Sequence, residues 1–276
     1  MGTVAAEAPP NISRRQFLIN NLVAALIGAT AMVMVHEAAH TAAGVALGHP
    51  STQYAFGVTH EGNLGATDQV IMLLAAPAFS LLTGVLMALW TPLRSRSGHA
   101  GFGHLVWLWF AFTSIQEGIT YLCLTPFGAG DTGEAATLLG LPVVVQFVAL
   151  AVGVAGMFAN ARAFATHLAR HAGADHGSRM AMSLYVWLFG MIIQVLLAVL
   201  YLAITPMDLS PGNQIAVVVA GTAILVFAPM ANMFHRQVAG VAHEPLRLPR
   251  IPVAGLIAWG ALVVTNLLLS FGLRVG

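Results

Sequence analysis

The chain has 276 residues, of which 58% are hydrophobic and 8% charged, with a formal net charge of +1. A soluble domain carries roughly 25% charged residues, so this composition fits an integral, multi-pass membrane protein and excludes an ordinary soluble enzyme. There is no lysine and no basic patch, which excludes a nucleic-acid partner, and the single cysteine, Cys123, excludes an intrachain disulfide.

A polar tail over 1–16 comes first. Ser13-Arg14-Arg15-Gln16-Phe17-Leu18 is similar to a twin-arginine export signal, and Ala29-Thr30-Ala31 has the form of a cleavage site. The apolar run continues well past Ala31, however, so Arg14 and Arg15 read as anchors of a first span. Seven apolar segments follow that reach the roughly 20 residues needed to cross a bilayer. They run at about Phe17–Leu47, Val70–Trp90, His104–Leu124, Leu141–Ala161, Met180–Thr205, Asn213–Phe234 and Ile251–Leu273. With these spans, ten arginines fall on one side (Arg14, Arg15, Arg94, Arg96, Arg162, Arg170, Arg179, Arg236, Arg247 and Arg250) and only Arg274 on the other. The positive-inside rule then places the N-terminus inside and the C-terminus outside. The predicted fold class is an all-α polytopic membrane protein with about seven transmembrane helices. Membrane lipid is its solvent, and no internal repeat is visible.

The first span carries His36-Glu37-Ala38-Ala39-His40, an H-E-x-x-H motif. On a helix, residues four apart stand on one face, so both imidazoles can reach one metal ion and Glu37 can act as a general base. Charged and polar groups of this kind are costly inside a bilayer and mark functional sites. The bland reading is a chance match, which becomes less credible once the motif falls within a span. A hydrolytic zinc needs three protein ligands and an open position. At the same depth as the histidines the chain offers Asp131, in the Pro/Gly-rich stretch Thr125-Pro126-Phe127-Gly128-Ala129-Gly130-Asp131-Thr132-Gly133, and Glu117, inside the third span. Asp131 is the favoured third ligand because a bendable segment adapts to tetrahedral geometry. Glu117 is the alternative, and Glu134 a weaker one. Without a metal, Asp131 reads as a loop acid or helix cap and Glu117 as a buried acid bonded to a neighbouring helix.

Other polar groups are weighed in the same way. Gln53–Asn63 alternates loosely around Gly and Asn turn residues and predicts a short β-hairpin, with His60 and Glu61 near the metal side. His167-Leu168-Ala169-Arg170-His171, followed by Asp175 and His176, repeats the four-residue histidine spacing on the inner side; solvated histidines are the simpler reading than a second metal site. Pro77 and Pro229 predict kinks, and Gly190 and Gly221 close helix packing. The last four spans carry no charge in their interiors, which argues against a transporter.

From Ala31 to Leu139 the chain resembles the site-2 protease family of intramembrane zinc metalloproteases. The resemblance rests on His36-Glu37-Ala38-Ala39-His40, on the hairpin stretch, on Ala75-Ala76-Pro77-Ala78-Phe79-Ser80 beside the family's Gly-Pro-x-x-Asn, and on Pro126 five residues before Asp131. It departs at Cys123 and Ser80, where the family has Asn, and in the basic residues, which precede the metal helix here. The resemblance implies Zn2+ held by His36, His40 and Asp131, Glu37 as catalytic base, and transmembrane protein substrates opened by local unwinding. It also implies a metalloprotease-like membrane core over 17–140, followed by additional transmembrane helices over 141–276. Two other functions stay open at this stage: another metal-dependent membrane enzyme built on the same ligands, and a non-catalytic membrane protein with a structural or vestigial metal site.

Overall fold

The structure, a computed structural model, describes residues 13–95, 101–209, 214–215, 217–219 and 223–276. Helices dominate: α1 (Arg14–Ala46), α2 (Ala66–Ser95), α3 (Phe102–Leu124), α4 (Gly130–Leu138), α5 (Val143–Ala172), α6 (His176–Met182), α7 (Leu184–Ile204) and α8 (Val253–Leu269). Three short strands accompany them, β1 (Ser51–Gln53), β2 (Val58–His60) and β3 (Leu273–Val275). The predicted hairpin is present as the antiparallel β1–β2 pair. β3 was not foreseen; it joins the other edge of β1, with Thr52 opposite Arg274, in the order β2-β1-β3.

Among the described residues, four helical stretches are long and apolar enough to cross a membrane, by length and composition: Arg14–Ala46, Ala66–Thr91, Val143–Ala172 and His176–Ile204. The third expected span is the helix α3, whose 23 residues include the buried His104, Gln116 and Glu117. The last, α8, is a shorter apolar helix of 17 residues. The described part of the sixth, Asn213–Phe234, passes through turns into a 3-10 helix at Pro229–Phe234, begun by a proline that withholds an N–H from the preceding turn. Gly221 and Arg96 lie outside the described residues.

The buried core gathers α1, α3, α5, α7 and the segment around Leu225, through Phe17, Ala24, Leu105, Trp109, Phe164 and Val186. Several of its polar groups bond to one another across helices, as lipid demands. Trp109 Nε1 donates to Asn21 Oδ1 at 2.7 Å, Asn21 Nδ2 to the Ala181 carbonyl at 3.2 Å, and Asn160 Nδ2 to the Phe112 carbonyl at 3.1 Å. On the outside, large apolar side chains such as Leu89, Val144 and Leu196 are exposed, the pattern of a lipid-facing surface.

The two ends of the bundle differ. At one, Arg14 pairs with Asp175 at 3.0 Å, Gly101 bridges Arg247, and Gln16 and Asn20 reach the Leu248 and Pro249 carbonyls. At the other stand the sheet, α4 and the ion pair Arg274–Glu61 at 2.8 Å. The hairpin is seated on α1 at Gly44, where a β-carbon would lie 2.5 Å from both the His60 ring and Ser51 Oγ. Its tip turns inward, so that Ala55 packs with Tyr201 of α7 and Leu269 of α8.

Candidate metal centre

Three elements deliver three ligand atoms to one point. α1 presents His36 and His40 on one face, both buried. α4 presents Asp131 in its first turn. The stretch before Asp131 was expected to be a bendable loop; instead it is a 3-10 turn, Thr125–Phe127, and then the helix α4 itself. Gly128 and Gly130 make that reversal possible with φ of 63° and 64°. At Gly130 a side chain would also meet the Tyr121 ring at 2.8 Å.

The ligand atoms form a compact triangle. His40 Nε2 lies 3.2 Å from His36 Nε2 and 3.1 Å from Asp131 Oδ2, and His36 Nε2 lies 3.4 Å from Asp131 Oδ2. A tetrahedral zinc with bonds of about 2.0–2.1 Å would hold its ligands about 3.3–3.4 Å apart, so the triangle has the size of one metal face. Among the described residues it is the one group of three such side chains with this convergence.

The far ring nitrogens fix the tautomers. His40 Nδ1 donates to the Met72 carbonyl at 2.8 Å. His36 Nδ1 donates to Glu117 Oε1 at 3.0 Å, with Ser80 Oγ at 3.3 Å. Each neutral imidazole has one N–H, so both Nε2 atoms carry lone pairs. Two lone pairs and a carboxylate oxygen then face one another inside the protein, an arrangement that a shared cation makes favourable. Glu117, the alternative third ligand, thus sits on the opposite side of the His36 ring and orients it, as carboxylates commonly do behind metal-bound histidines. Glu134 is half-buried and outside the triangle; burial first, then Asp131, raises its carboxyl above the usual range.

Glu37 is buried and lines two cavities that meet at the centre. One, of about 420 Å³, is mostly apolar and extends among α1, α3, α7 and α8, with Val33, Leu197 and Ala198 in its wall. The other, of about 350 Å³, is more polar and lies under the hairpin, with His40, His60, Gln69, Asp131 and Glu134. His36, Glu37, Phe56 and Tyr121 border both. His60 accordingly reaches the site region; burial first, then His40 and His49, lowers its imidazole, and its Nδ1 lies 2.8 Å from Ser51 Oγ. Glu61 does not, being engaged with Arg274.

Tyr121 was missed in the sequence. Its ring stacks on His36 with centroids 5.4 Å apart and planes within 6°, and its hydroxyl lies 3.4 Å from His36 Nε2. The signal was available: Tyr121 follows Glu117 by four residues and so shares its helix face. Comparison of the chain with protein-family models, curated proteins and solved structures gives no match.

Proposed function

We propose that this protein is an intramembrane metal-dependent peptidase, with zinc held by His36, His40 and Asp131. The observation that carries the reading is the triangle of His36 Nε2, His40 Nε2 and Asp131 Oδ2, with the Glu37 carboxyl beside it at the meeting of two cavities. Zinc held there would supply Lewis acidity, making water a stronger acid and an amide carbonyl a better electrophile. Glu37 takes a proton from the attacking water and returns it to the leaving amine. In balance, a C–O bond forms, the C–N bond breaks, and one proton moves from water to nitrogen. Tyr121 offers its hydroxyl to the amide oxygen as that atom gains charge. Glu117 and the Met72 carbonyl keep both imidazoles in the tautomer that presents Nε2.

The cavities support this division of labour. The polar one under the hairpin gives water a route to Glu37, and the apolar one gives an uncharged substrate a route from the bilayer. A structural metal site tends to close with a fourth protein ligand, whereas here a carboxyl outside the triangle and two open spaces adjoin it. The test is a pair of variants in the full chain. Glu37→Gln should keep its zinc and lose hydrolysis of a membrane-embedded peptide by about a thousandfold or more, the scale of removing a general base together with its charge. Hydrolysis at the parent rate in that variant removes Glu37 from the reaction.

A further inference from the structure

The two cavities that meet at the centre differ in kind, and a molecule that fills both needs two unlike ends. The larger, of about 420 Å³, has Val33, Leu197, Ala198 and Ile224 in its wall. Thr30, Tyr201 and Asn266 border it too, but Thr30 Oγ1, Tyr201 Oη and Asn266 Oδ1 are covered by their neighbours. The surface this space offers is therefore mostly carbon. A peptide segment would bring backbone N–H and C=O groups that such a wall leaves unpaired. An alkyl chain brings none. At about 30 Å³ for a methylene-sized group, the share of one water in the liquid, the space takes a single chain of about fourteen carbons.

The smaller cavity, of about 350 Å³, is lined by hydrogen-bond acceptors. The Ser51 hydroxyl donates its one hydrogen to the His49 carbonyl at 3.0 Å, so at 2.8 Å it accepts from His60 Nδ1. His60 Nε2 is then left with a lone pair. Gln69 Nε2 donates to the Leu64 carbonyl at 3.1 Å, which leaves Oε1 to accept, and Glu134 adds a carboxyl. Among the described residues no arginine borders this space. An anionic head, a phosphate or a carboxylate, meets no guanidinium there. A head that carries hydroxyl or amino donors meets acceptors on three sides. His36, Glu37, Phe56 and Tyr121 border both cavities, so a molecule extended through the two passes the ligand triangle.

We infer that the centre hydrolyses fatty acyl amides: one acyl chain lies in the apolar cavity, the amide lies beside Glu37 and Tyr121, and a hydroxyl- or amino-bearing head lies under the hairpin. The inference rests on the hydrolytic chemistry of the peptidase reading and names a different substrate for it. The C–N bond at the acyl carbon breaks and a C–O bond forms there. Water supplies the hydroxyl of the fatty acid, and its proton goes to the nitrogen of the departing amine. The acid returns to the bilayer and the amine leaves on the polar side. This use makes α7 a measure of chain length, although it lies beyond the stretch that resembles a known protease core.

The test uses the full chain, loaded with zinc in lipid nanodiscs, and N-acyl ethanolamines of increasing chain length. Among chains short enough to start in water, kcat/KM should rise about threefold per added methylene and stop rising at about fourteen carbons. Ala198→Phe should shorten the preferred chain by about three carbons, at about 30 Å³ each, with metal content unchanged. At equal chain length an N-acyl glycine, whose head is a carboxylate, should be cleaved about tenfold more slowly than the ethanolamide, and Glu134→Gln should narrow that gap. Binding is read apart from turnover in Glu37→Gln: a diazirine at the chain end should crosslink to Leu197–Tyr201, and one on the head to Val58–His60. Rates independent of chain length, an optimum unmoved in Ala198→Phe, or crosslinks confined to the lipid-facing surface would each overturn the inference. Cleavage of a membrane-embedded peptide with neither cleavage nor crosslinking of any acyl amide overturns it and leaves the peptidase reading standing. Cleavage of acyl amides without cleavage of any peptide supports it and defeats that reading.

Discussion

Two helices each carry a pair of histidines four residues apart. On α1 the pair is His36 and His40; on α5 it is His167 and His171. The spacing is identical, yet the surroundings differ in kind. The α1 pair meets Asp131 at the ligand triangle, with Glu117 and the Met72 carbonyl behind the rings. The α5 pair stacks on itself at 6.3 Å and meets His104 at 5.2 Å, at the end of the bundle where Arg14, Arg170 and Arg247 gather. His171 Nδ1 does find a backbone carbonyl, that of Glu244 at 3.0 Å, so the rings are oriented in a similar way. Among the described residues, what the α5 cluster lacks is a carboxylate converging on the same point. Spacing selects a face of a helix; a third, oppositely charged donor makes that face a cation site.

Metal analysis should expose this contrast most strongly. His36→Ala should reduce bound zinc from about one ion per chain to nearly none, because two remaining ligands hold it poorly. His167→Ala should leave the metal content unchanged, and equal loss in both variants would erase the distinction. Next in size is the separation of ligand from orienting group. Asp131→Asn should behave like the histidine variant, whereas Glu117→Gln should retain the metal with affinity reduced about 10–100-fold, measured by competition with a chelator. A smaller effect is expected at the turn that delivers the acid. Gly130→Ala places a β-carbon at φ 64° and against Tyr121. It should lower thermal stability by about 1–2 kcal/mol and weaken metal binding with it.

The smallest effect belongs to the arginine-rich end. Asp175 caps α6, and hydrogen bonds from the Ser178 hydroxyl and backbone N–H, followed by Arg14, hold its carboxyl at about 2. An unfolded chain has this group near about 3.9. The contribution is therefore present above about pH 4 and disappears as pH falls through about 2. Asp175→Asn should flatten the acid limb of the melting-temperature profile only slightly, since the group is fully exposed, and should leave bound metal untouched.

Much of the centre was legible because its determinants are local. H-E-x-x-H encodes its own geometry on a helix, and Pro126 with two nearby glycines marks the reversal before Asp131. The choice between Asp131 and Glu117 was not local. It depends on which ring nitrogen of His36 each acid reaches, and that follows from how α3 and α4 pack against α1. The inward hairpin tip, Tyr121 beside His36 and the walls of the apolar cavity are likewise products of packing between distant segments. Windowed hydropathy at Asn213–Phe234 is likewise blind to the 3-10 turn that begins at Pro229.

β3 ties the last described strand to the first. Residues 51–53 begin the hairpin that roofs the more polar side of the centre, and they gain their second neighbour only from residues 273–275. During synthesis, α1 and its histidines emerge early, while this clasp cannot fasten until α8 has been threaded into place. Assembly of the roof therefore waits for residues 273–275 to be made.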